Sequence, residues 1–158
     1  MGQQKRKKLH CYTDGCCRGN PGLSCSGVVI TSPTGKILLT HSARAGVGTN
    51  NESEYRAAIV GLKKCAEITC GTRDNPHGDI TVFSDSRLLV QQSMRQWRTK
   101  KIHLQVLRRE VVELMQCFQK VTFKWVARHH KHIQLADVLA NQECDAFERE
   151  AIRESAEA

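Results

Sequence analysis

The 158-residue sequence lacks the features of a membrane protein or a secreted protein. It has no run of about eighteen apolar residues, so we expect no membrane-spanning helix. The basic residues 1–8 lack the apolar core of a signal peptide. None of the eight cysteines forms a Cys-x-x-Cys pair, which argues against a zinc site. We therefore expect a cytoplasmic protein with reduced thiols, and a disulfide among the cysteines near Cys16 and Cys25 is the alternative.

Positive charge is in excess, with a formal net charge of +8 and a pI of about 9.2. This balance favours a polyanionic partner, above all a nucleic acid, and the alternative is a generally basic surface without a specific partner. The length fits one domain, and the sequence has no internal repeat or linker. We expect a basic lead-in over 1–7, a domain over 8–148, and a mixed-charge tail or frayed helix end over 149–158.

Hydrophobic periodicity predicts an α/β fold in the order three strands, helix, strand, two helices, strand, helix. The expected strands lie at about 8–14, 24–31, 36–42, 80–84 and 121–126. Expected helices lie at about 51–69, from 85 onward, at about 104–118, and in a final segment that carries Ala136, Leu139, Ala140 and Phe147. Two short loops join the first three strands, which indicates an antiparallel meander. We expect a five-stranded mixed sheet flanked by helices.

Four carboxylates occupy positions that core packing does not explain. Asp14 ends the first strand and is followed at once by glycine-rich turn residues. Glu54 lies at the start of the first helix, and Asp85 ends a buried strand where open α/β sheets place ligands. Asp137 lies in the last helix. If the fold brings these acids to one edge of the sheet, they form a site for divalent cations, and the alternative for each one alone is a surface charge or a helix cap.

Four motifs in this order resemble the type 1 ribonuclease H family, over about residues 10 to 147. They are YTDG (12–15) with GNPG (19–22), TNNESE (49–54), FSDS (83–86), and Trp125-Val126 followed by ADVLAN (136–141). Two departures from the family pattern are visible. The long basic insertion of some members is replaced by the compact stretch 96–101, as in short forms that lack the basic protrusion. The loop before Asp137 is also shorter than in members with a mobile catalytic histidine.

The resemblance implies a metal-dependent endonuclease that hydrolyses the RNA strand of RNA–DNA hybrids and leaves 5′-phosphate and 3′-hydroxyl ends. It implies two Mg²⁺ ions, with Mn²⁺ as a possible substitute. Asp14 would bridge the ions, Glu54 and Asp85 would ligate the ion beside the leaving group, and Asp137 would ligate the ion beside the attacking water. His129 would move a proton or help to expel product, and His130 and His132 are alternatives for that role.

Substrate contacts follow from the same resemblance. The minor-groove candidates are Gly15, Cys16, Cys17, Asn20 and Asn51, and the candidates for a phosphate of the DNA strand are Thr49 and Asn50, helped by Arg44 or another cation. The candidates for gripping the DNA backbone are Trp97, Arg98, Lys100 and Lys101. Helix capping is the alternative for Asn50 and Asn51, and partial burial in the core is the alternative for Trp97. We expect Trp125 to be a core residue.

Two rival functions remain at this point. One is a non-catalytic module that binds hybrids or duplex RNA, which the four intact carboxylates disfavour. The other is a ribonuclease H domain that works with a reverse transcriptase. The chain has its own initiating Met and no linker, which favours an independent cellular enzyme. We expect a monomer without an obligate protein partner.

Overall fold

The computed structural model describes residues 6–95 and 97–158. Residues 1–5 of the expected basic lead-in, and Gln96 of the compact stretch 96–101, lie outside the described residues. The elements follow the predicted order: β1 (Lys8–Gly19), β2 (Gly22–Thr31), β3 (Ile37–Gly48), α1 (Asn50–Thr69), β4 (Asp79–Ser84), α2 (Arg87–Ser93), α3 (Ile102–Met115), β5 (Lys120–Trp125) and α4 (Lys131–Glu157).

The predicted mixed sheet of five strands is confirmed, with the order β3-β2-β1-β4-β5. The pairs β1–β2 and β2–β3 are antiparallel, whereas β1–β4 and β4–β5 are parallel. Strand β1 is therefore central, and its pairing with β4 ends at Tyr12 and Phe83. The residues of β1 that follow Tyr12 lie beside the C-terminal end of β4, which is where this topology places ligands.

The first three strands are longer than their apolar residues predict. Strand β1 continues to Gly19 and pairs with Gly22 across a two-residue turn. Gly19 has a φ of +98°, a left-handed conformation that favours glycine. Strand β3 likewise continues to Gly48 and runs directly into the cap of α1. Sequence periodicity misses these extensions because they are rich in glycine and other small residues, without the alternating apolar pattern of a strand.

Helices cover the two faces of the sheet unequally. Alternate residues of β1 point to opposite faces, so Leu9 and Cys11 join the core beneath α1 and α3, whereas Tyr12 packs beneath α4. The second core is completed by Ile133 and Ala136 of α4. Helices α1 and α4 thus pack against opposite faces of β1, and they carry the candidate carboxylates Glu54 and Asp137, respectively.

Helix α4 extends through the segment 149–158 that the sequence indicated as a tail or frayed end, and its last helical residue is Glu157. Residues 149–158 are exposed to solvent. Acids of this helix pair with two arginines of the sheet: Asp145 and Glu148 with Arg18, and Glu143 and Glu150 with Arg44. Within the described part of the chain, no helix is long and apolar enough to span a membrane.

All eight cysteines are free thiols. Cys16 and Cys25 are cross-strand partners in β1 and β2, so the neighbourhood expected from their spacing exists without a disulfide. Both thiols are buried together with Cys144 of α4. They serve as small apolar side chains between the sheet and the helix.

Candidate active site

Asp14 is buried on the central strand at a point where the sheet meets two helices closely. It pairs with Gly27 of β2, and a Cβ atom on Gly27 would lie 1.8 Å from the carbonyl oxygen of Ala136 in α4. A Cβ atom on the next residue, Gly15, would lie 2.5 Å from the backbone of Ser53 in α1. Because both positions are glycine, both helices can approach the strand beside Asp14.

This close approach brings Glu54 and Asp137 to Asp14, because each follows directly after the helix residue that the glycine touches. The start of α1 is fixed by a capping box in which Thr49 accepts from the backbone N–H of Glu52, and the Glu52 carboxylate accepts from the backbone N–H of Thr49. Glu52 also pairs with Arg56 and does not join the acid cluster. The prediction that Glu52 faces away from Glu54 agrees with this geometry.

Asp85 joins the cluster from the end of β4, in the short connection before α2. Ser86 caps α2 by accepting from the backbone N–H of Leu89. Asp85 Oδ2 accepts from Arg128 Nε at 3.3 Å, and its backbone carbonyl accepts from the indole of Trp125 at 3.1 Å. The carboxylate is therefore held between the loop after β5 and the acids of β1 and α1.

Ligand oxygens of Asp14, Glu54 and Asp85 lie within 4.8 Å of one another. Asp137 is exposed on α4 and lines the same cleft as these three acids, and its charge contributes to the raised pKa of Asp14. The four predicted carboxylates are thus brought together, three as a compact group and the fourth on its open side. They line a cleft of about 900 Å³.

Electrostatic repulsion is strong in this group. Burial, followed by the nearby charges of Glu54 and Asp85, raises the pKa of Asp14 far above its ordinary value. Burial and the charge of Asp85 likewise raise the pKa of Glu54. Glu54 Oε2 is buried without a hydrogen-bond partner among the described residues. An unpartnered buried oxygen among carboxylates fits a hard divalent cation such as Mg²⁺ or Mn²⁺, which takes oxygen ligands and offsets the repulsion.

The three histidines after β5 have different surroundings. His129 is exposed and lines the cleft. His130 caps α4 by accepting from the backbone N–H of His132, and its ring stacks on Tyr12 at 4.9 Å between centroids. His132 is buried against the same tyrosine. Of the three, only His129 lines the cleft, whereas the other two hold the start of α4 in place.

Five of the predicted contact residues for the hybrid line the cleft: Gly15, Cys16, Cys17, Asn50 and Asn51. Asn20 lies beside them and accepts from the backbone N–H of Asn50 at 3.1 Å. Thr49 is the N-cap of α1, so neither Asn50 nor Asn51 is needed for that role. The guanidinium of Arg44, which was expected as one of the cations that could help to hold this phosphate, is paired with Glu143 and Glu150 on α4.

A second, basic groove of about 770 Å³ lies along α3. The predicted residues Trp97 and Arg98 line it, and Trp97 is 49% exposed. Lys100 and Lys101 are exposed nearby in the chain. Arg95, Arg108 and Arg109 also line the groove, and the sequence alone did not single out Arg108 and Arg109.

The prediction that Trp125 is a core residue is wrong, because this residue ends the edge strand β5 and is 41% exposed. The guanidinium of Arg87 lies 4.1 Å from its ring centroid.

Sequence reasoning also missed Gly27, Arg128 and Asn141, all of which contact or adjoin a cluster carboxylate. For Asn141 a signal was available, since it lies four residues after Asp137 on one helix face.

Residues 12–143 match the family described as "Reverse transcriptase-like". The chain is 34% identical to a protein named ribonuclease H from Rippkaea orientalis, with 94% of this chain and 86% of that protein covered. It is 32% identical to a bifunctional protein of Mycobacterium tuberculosis, with 91% of this chain covered, and spans only 37% of that protein's length. Its fold matches LC11-RNase H1, solved in complex with an RNA/DNA hybrid, with a TM-score of 0.76 and 30% identity over 85% of this chain and 94% of that one.

Proposed function

Because this chain belongs to the ribonuclease H family, we propose that it hydrolyses the RNA strand of RNA–DNA hybrids and leaves 5′-phosphate and 3′-hydroxyl ends. The single observation that carries the proposal is the group of three carboxylates whose oxygens lie within 4.8 Å, at the base of an open cleft. The similarity to a ribonuclease H solved with a hybrid supports the choice of substrate.

The carboxylates that would hold the divalent cations are Asp14, Glu54, Asp85 and Asp137, and we propose Mg²⁺ as the cation. When bound, the ions would neutralise the scissile phosphate and acidify the attacking water. The protein itself supplies acids that are already assembled and buried, so little reorganisation is needed when charge develops in the transition state. Glu54 Oε2, for which the described residues supply no hydrogen-bond partner, is the oxygen that gains most from a cation.

His129 would act on protons at the mouth of this cleft. Its imidazole is exposed there, and histidine is the side chain that most often transfers protons in catalysis. We assign it the transfer of a proton to or from the reacting phosphate oxygens and the leaving group. His130 and His132 do not compete for this role in our proposal, because one caps α4 and the other is buried.

Discrimination between RNA and DNA at the cut requires contacts with the 2′-hydroxyl, which only RNA carries. The backbone of Gly15, Cys16 and Cys17 lines the cleft beside Asp14 and can both donate and accept hydrogen bonds there. Asn51 adds a side-chain amide on the facing helix. The groove lined by Trp97 and Arg98, together with Lys100 and Lys101 nearby in the chain, would hold the DNA strand by charge and stacking.

We further propose that the chain acts as a monomer in the cytoplasm. All four carboxylates come from one chain, so no second copy is needed to complete the site. Eight free thiols suit a reducing compartment. Light scattering of the purified protein tests the first point, because a dimer at micromolar concentration would contradict it.

The substrate is tested with a panel of end-labelled nucleic acids in Mg²⁺: an RNA–DNA hybrid, duplex RNA, single-stranded RNA and duplex DNA. We expect cleavage of the RNA in the hybrid and 5′-phosphate ends on the products. Cleavage of duplex RNA at a comparable rate would refute the assignment of a hybrid substrate. Binding of the hybrid without cleavage would instead make the chain a non-catalytic binding module.

A further inference from the structure

Asn141 lies one helical turn after Asp137 on α4 and lines the same cleft. Its side-chain nitrogen donates to the backbone carbonyl of Asp137 at 2.9 Å and to Asp137 Oδ1 at 3.0 Å. Asp137 is exposed, so its carboxylate would otherwise sample several rotamers. The bond from Asn141 restricts this carboxylate to the cleft side of α4.

The orientation of the Asn141 amide is fixed by hydrogen bonds to its side-chain oxygen. Its oxygen accepts from Arg18 Nη2 at 3.1 Å and from Cys16 Sγ at 3.3 Å. A guanidinium can only donate hydrogen bonds, and an ionised carboxylate can only accept them. An amide between Arg18 and Asp137 therefore satisfies both groups in only one orientation, the one seen here.

Arg18 is itself held firmly, at the end of β1, by three residues on one face of α4. Its guanidinium donates to Asp145 Oδ1 at 2.7 Å, to Glu148 Oε2 at 3.2 Å and to the backbone carbonyl of Asn141 at 3.1 Å. These partners are spaced by four and three residues, which places them on adjacent turns. The contacts fasten the end of the strand that carries Asp14 to helix α4.

We propose that Arg18 and Asn141 form a positioning relay that holds the Asp137 carboxylate toward Asp14, ready to bind a divalent cation. This role rests on the function proposed above. The neutral amide separates the arginine from the carboxylate, and this separation matters because a directly paired guanidinium would compete with the cation for the same oxygens. Substitution of a residue that orients a metal ligand in this way typically costs about 10- to 100-fold in metal affinity or activity.

The relay is tested with Asn141→Ala, Arg18→Ala, the double variant, and Gln142→Ala as the matched control on the exposed side of α4. Hybrid cleavage is measured as a function of Mg²⁺ concentration. Asn141→Ala should raise the Mg²⁺ concentration for half-maximal cleavage by roughly 10-fold and leave KM for the hybrid within about 2-fold. Arg18→Ala should have a smaller effect in the same direction, and Gln142→Ala should match the unmodified chain.

Two further readouts separate positioning from general stability. Because both residues act through one carboxylate, the double variant should be no worse than Asn141→Ala. In ¹H–¹⁵N NMR spectra, the side-chain amide signals of Asn141, identified by their loss in Asn141→Ala, should shift when Mg²⁺ is added. The relay would be overturned if the effects of the two substitutions on the Mg²⁺ requirement multiplied in the double variant. It would also be overturned if the Asn141 amide signals did not shift at saturating Mg²⁺.

The same experiments distinguish failure of the relay from failure of the proposed function. If the unmodified chain cleaves the hybrid and Asn141→Ala cleaves it with the same Mg²⁺ requirement, the relay is wrong and the function stands. If the unmodified chain cleaves nothing at any Mg²⁺ concentration, the function is wrong, and the NMR titration alone then decides whether Asn141 responds to the cation.

Discussion

Replacing Gly27 with alanine should separate α4 from the sheet directly beside Asp14. The new Cβ atom would lie 1.8 Å from the carbonyl oxygen of Ala136, whereas real Cβ contacts stay above 3.0 Å, so the helix must retreat by about 1.2 Å, the difference between these distances. Asp137 follows Ala136 and would move with it. A displacement of about 1 Å in a catalytic constellation lowers the rate by roughly 100-fold.

Stability should also fall, by about 1 to 3 kcal/mol, because the alanine overpacks a close contact. The assay is hybrid cleavage at saturating Mg²⁺, at a temperature well below the thermal transition of each variant. Val111→Ala is the control, since it removes buried volume in α3, away from the cleft, and should lower stability by about 2 kcal/mol without a comparable loss of rate.

Two results would refute this reasoning about Gly27. A folded Gly27→Ala variant that cleaves at the unmodified rate would mean that the contact with α4 does not set the position of Asp137. An equal loss of rate in Val111→Ala would mean that the effect reflects stability alone.

Three further predictions concern protonation, the histidines and the basic groove. The pKa values of Asp14 and Glu54 are raised in the folded protein, so without metal the folded state holds protons more tightly than the unfolded chain does. The free energy of unfolding in EDTA should therefore fall from about pH 5 to pH 8. Asp14→Asn should flatten this slope. His129→Ala should lower kcat by about 100-fold or more and leave Tm unchanged, whereas His132→Ala should lower Tm. Trp97→Ala should raise KM, and Lys100→Ala should reduce the salt slope of log KM by about one.

Each of these predictions has a contradicting result. Chemical denaturation across the pH range would count against the first if Asp14→Asn kept the full slope. Steady-state kinetics with thermal melts would contradict the second if His132→Ala lost kcat at unchanged Tm. For the groove, a lower kcat at unchanged KM in Trp97→Ala would place that residue in the chemistry instead of in binding.

The order of elements and the four carboxylates were predictable because their signals are local. Apolar residues at intervals of three and four mark α1, and Thr49 supplies the cap that the sequence indicates. Asp85 follows the end of β4, and Asp14 lies in β1 two residues beyond the last residue that pairs with β4, so the parallel pairing of the two strands brings both acids to one place. The motif order then identifies the family, which the comparisons confirm.

The remaining features depend on contacts between residues far apart in the chain. Nothing local marks Gly27 as the point where α4 touches the sheet, because a glycine in a strand often marks only a bulge. Trp125 alternates like a core residue but ends an edge strand. Arg44 was expected at a phosphate, yet acids more than 90 residues later in α4 pair with it.

The most direct test of the central claim is cleavage of an end-labelled RNA–DNA hybrid by the unmodified chain and by Asp14→Asn, each with Mg²⁺ and with EDTA. Hybrid binding is measured in parallel to show that the variant remains folded and binds its substrate. We predict cleavage of the RNA strand by the unmodified chain in Mg²⁺ only, and no cleavage by Asp14→Asn despite retained binding. Cleavage that survives either EDTA or the Asp14→Asn substitution would contradict a metal-dependent site built around Asp14.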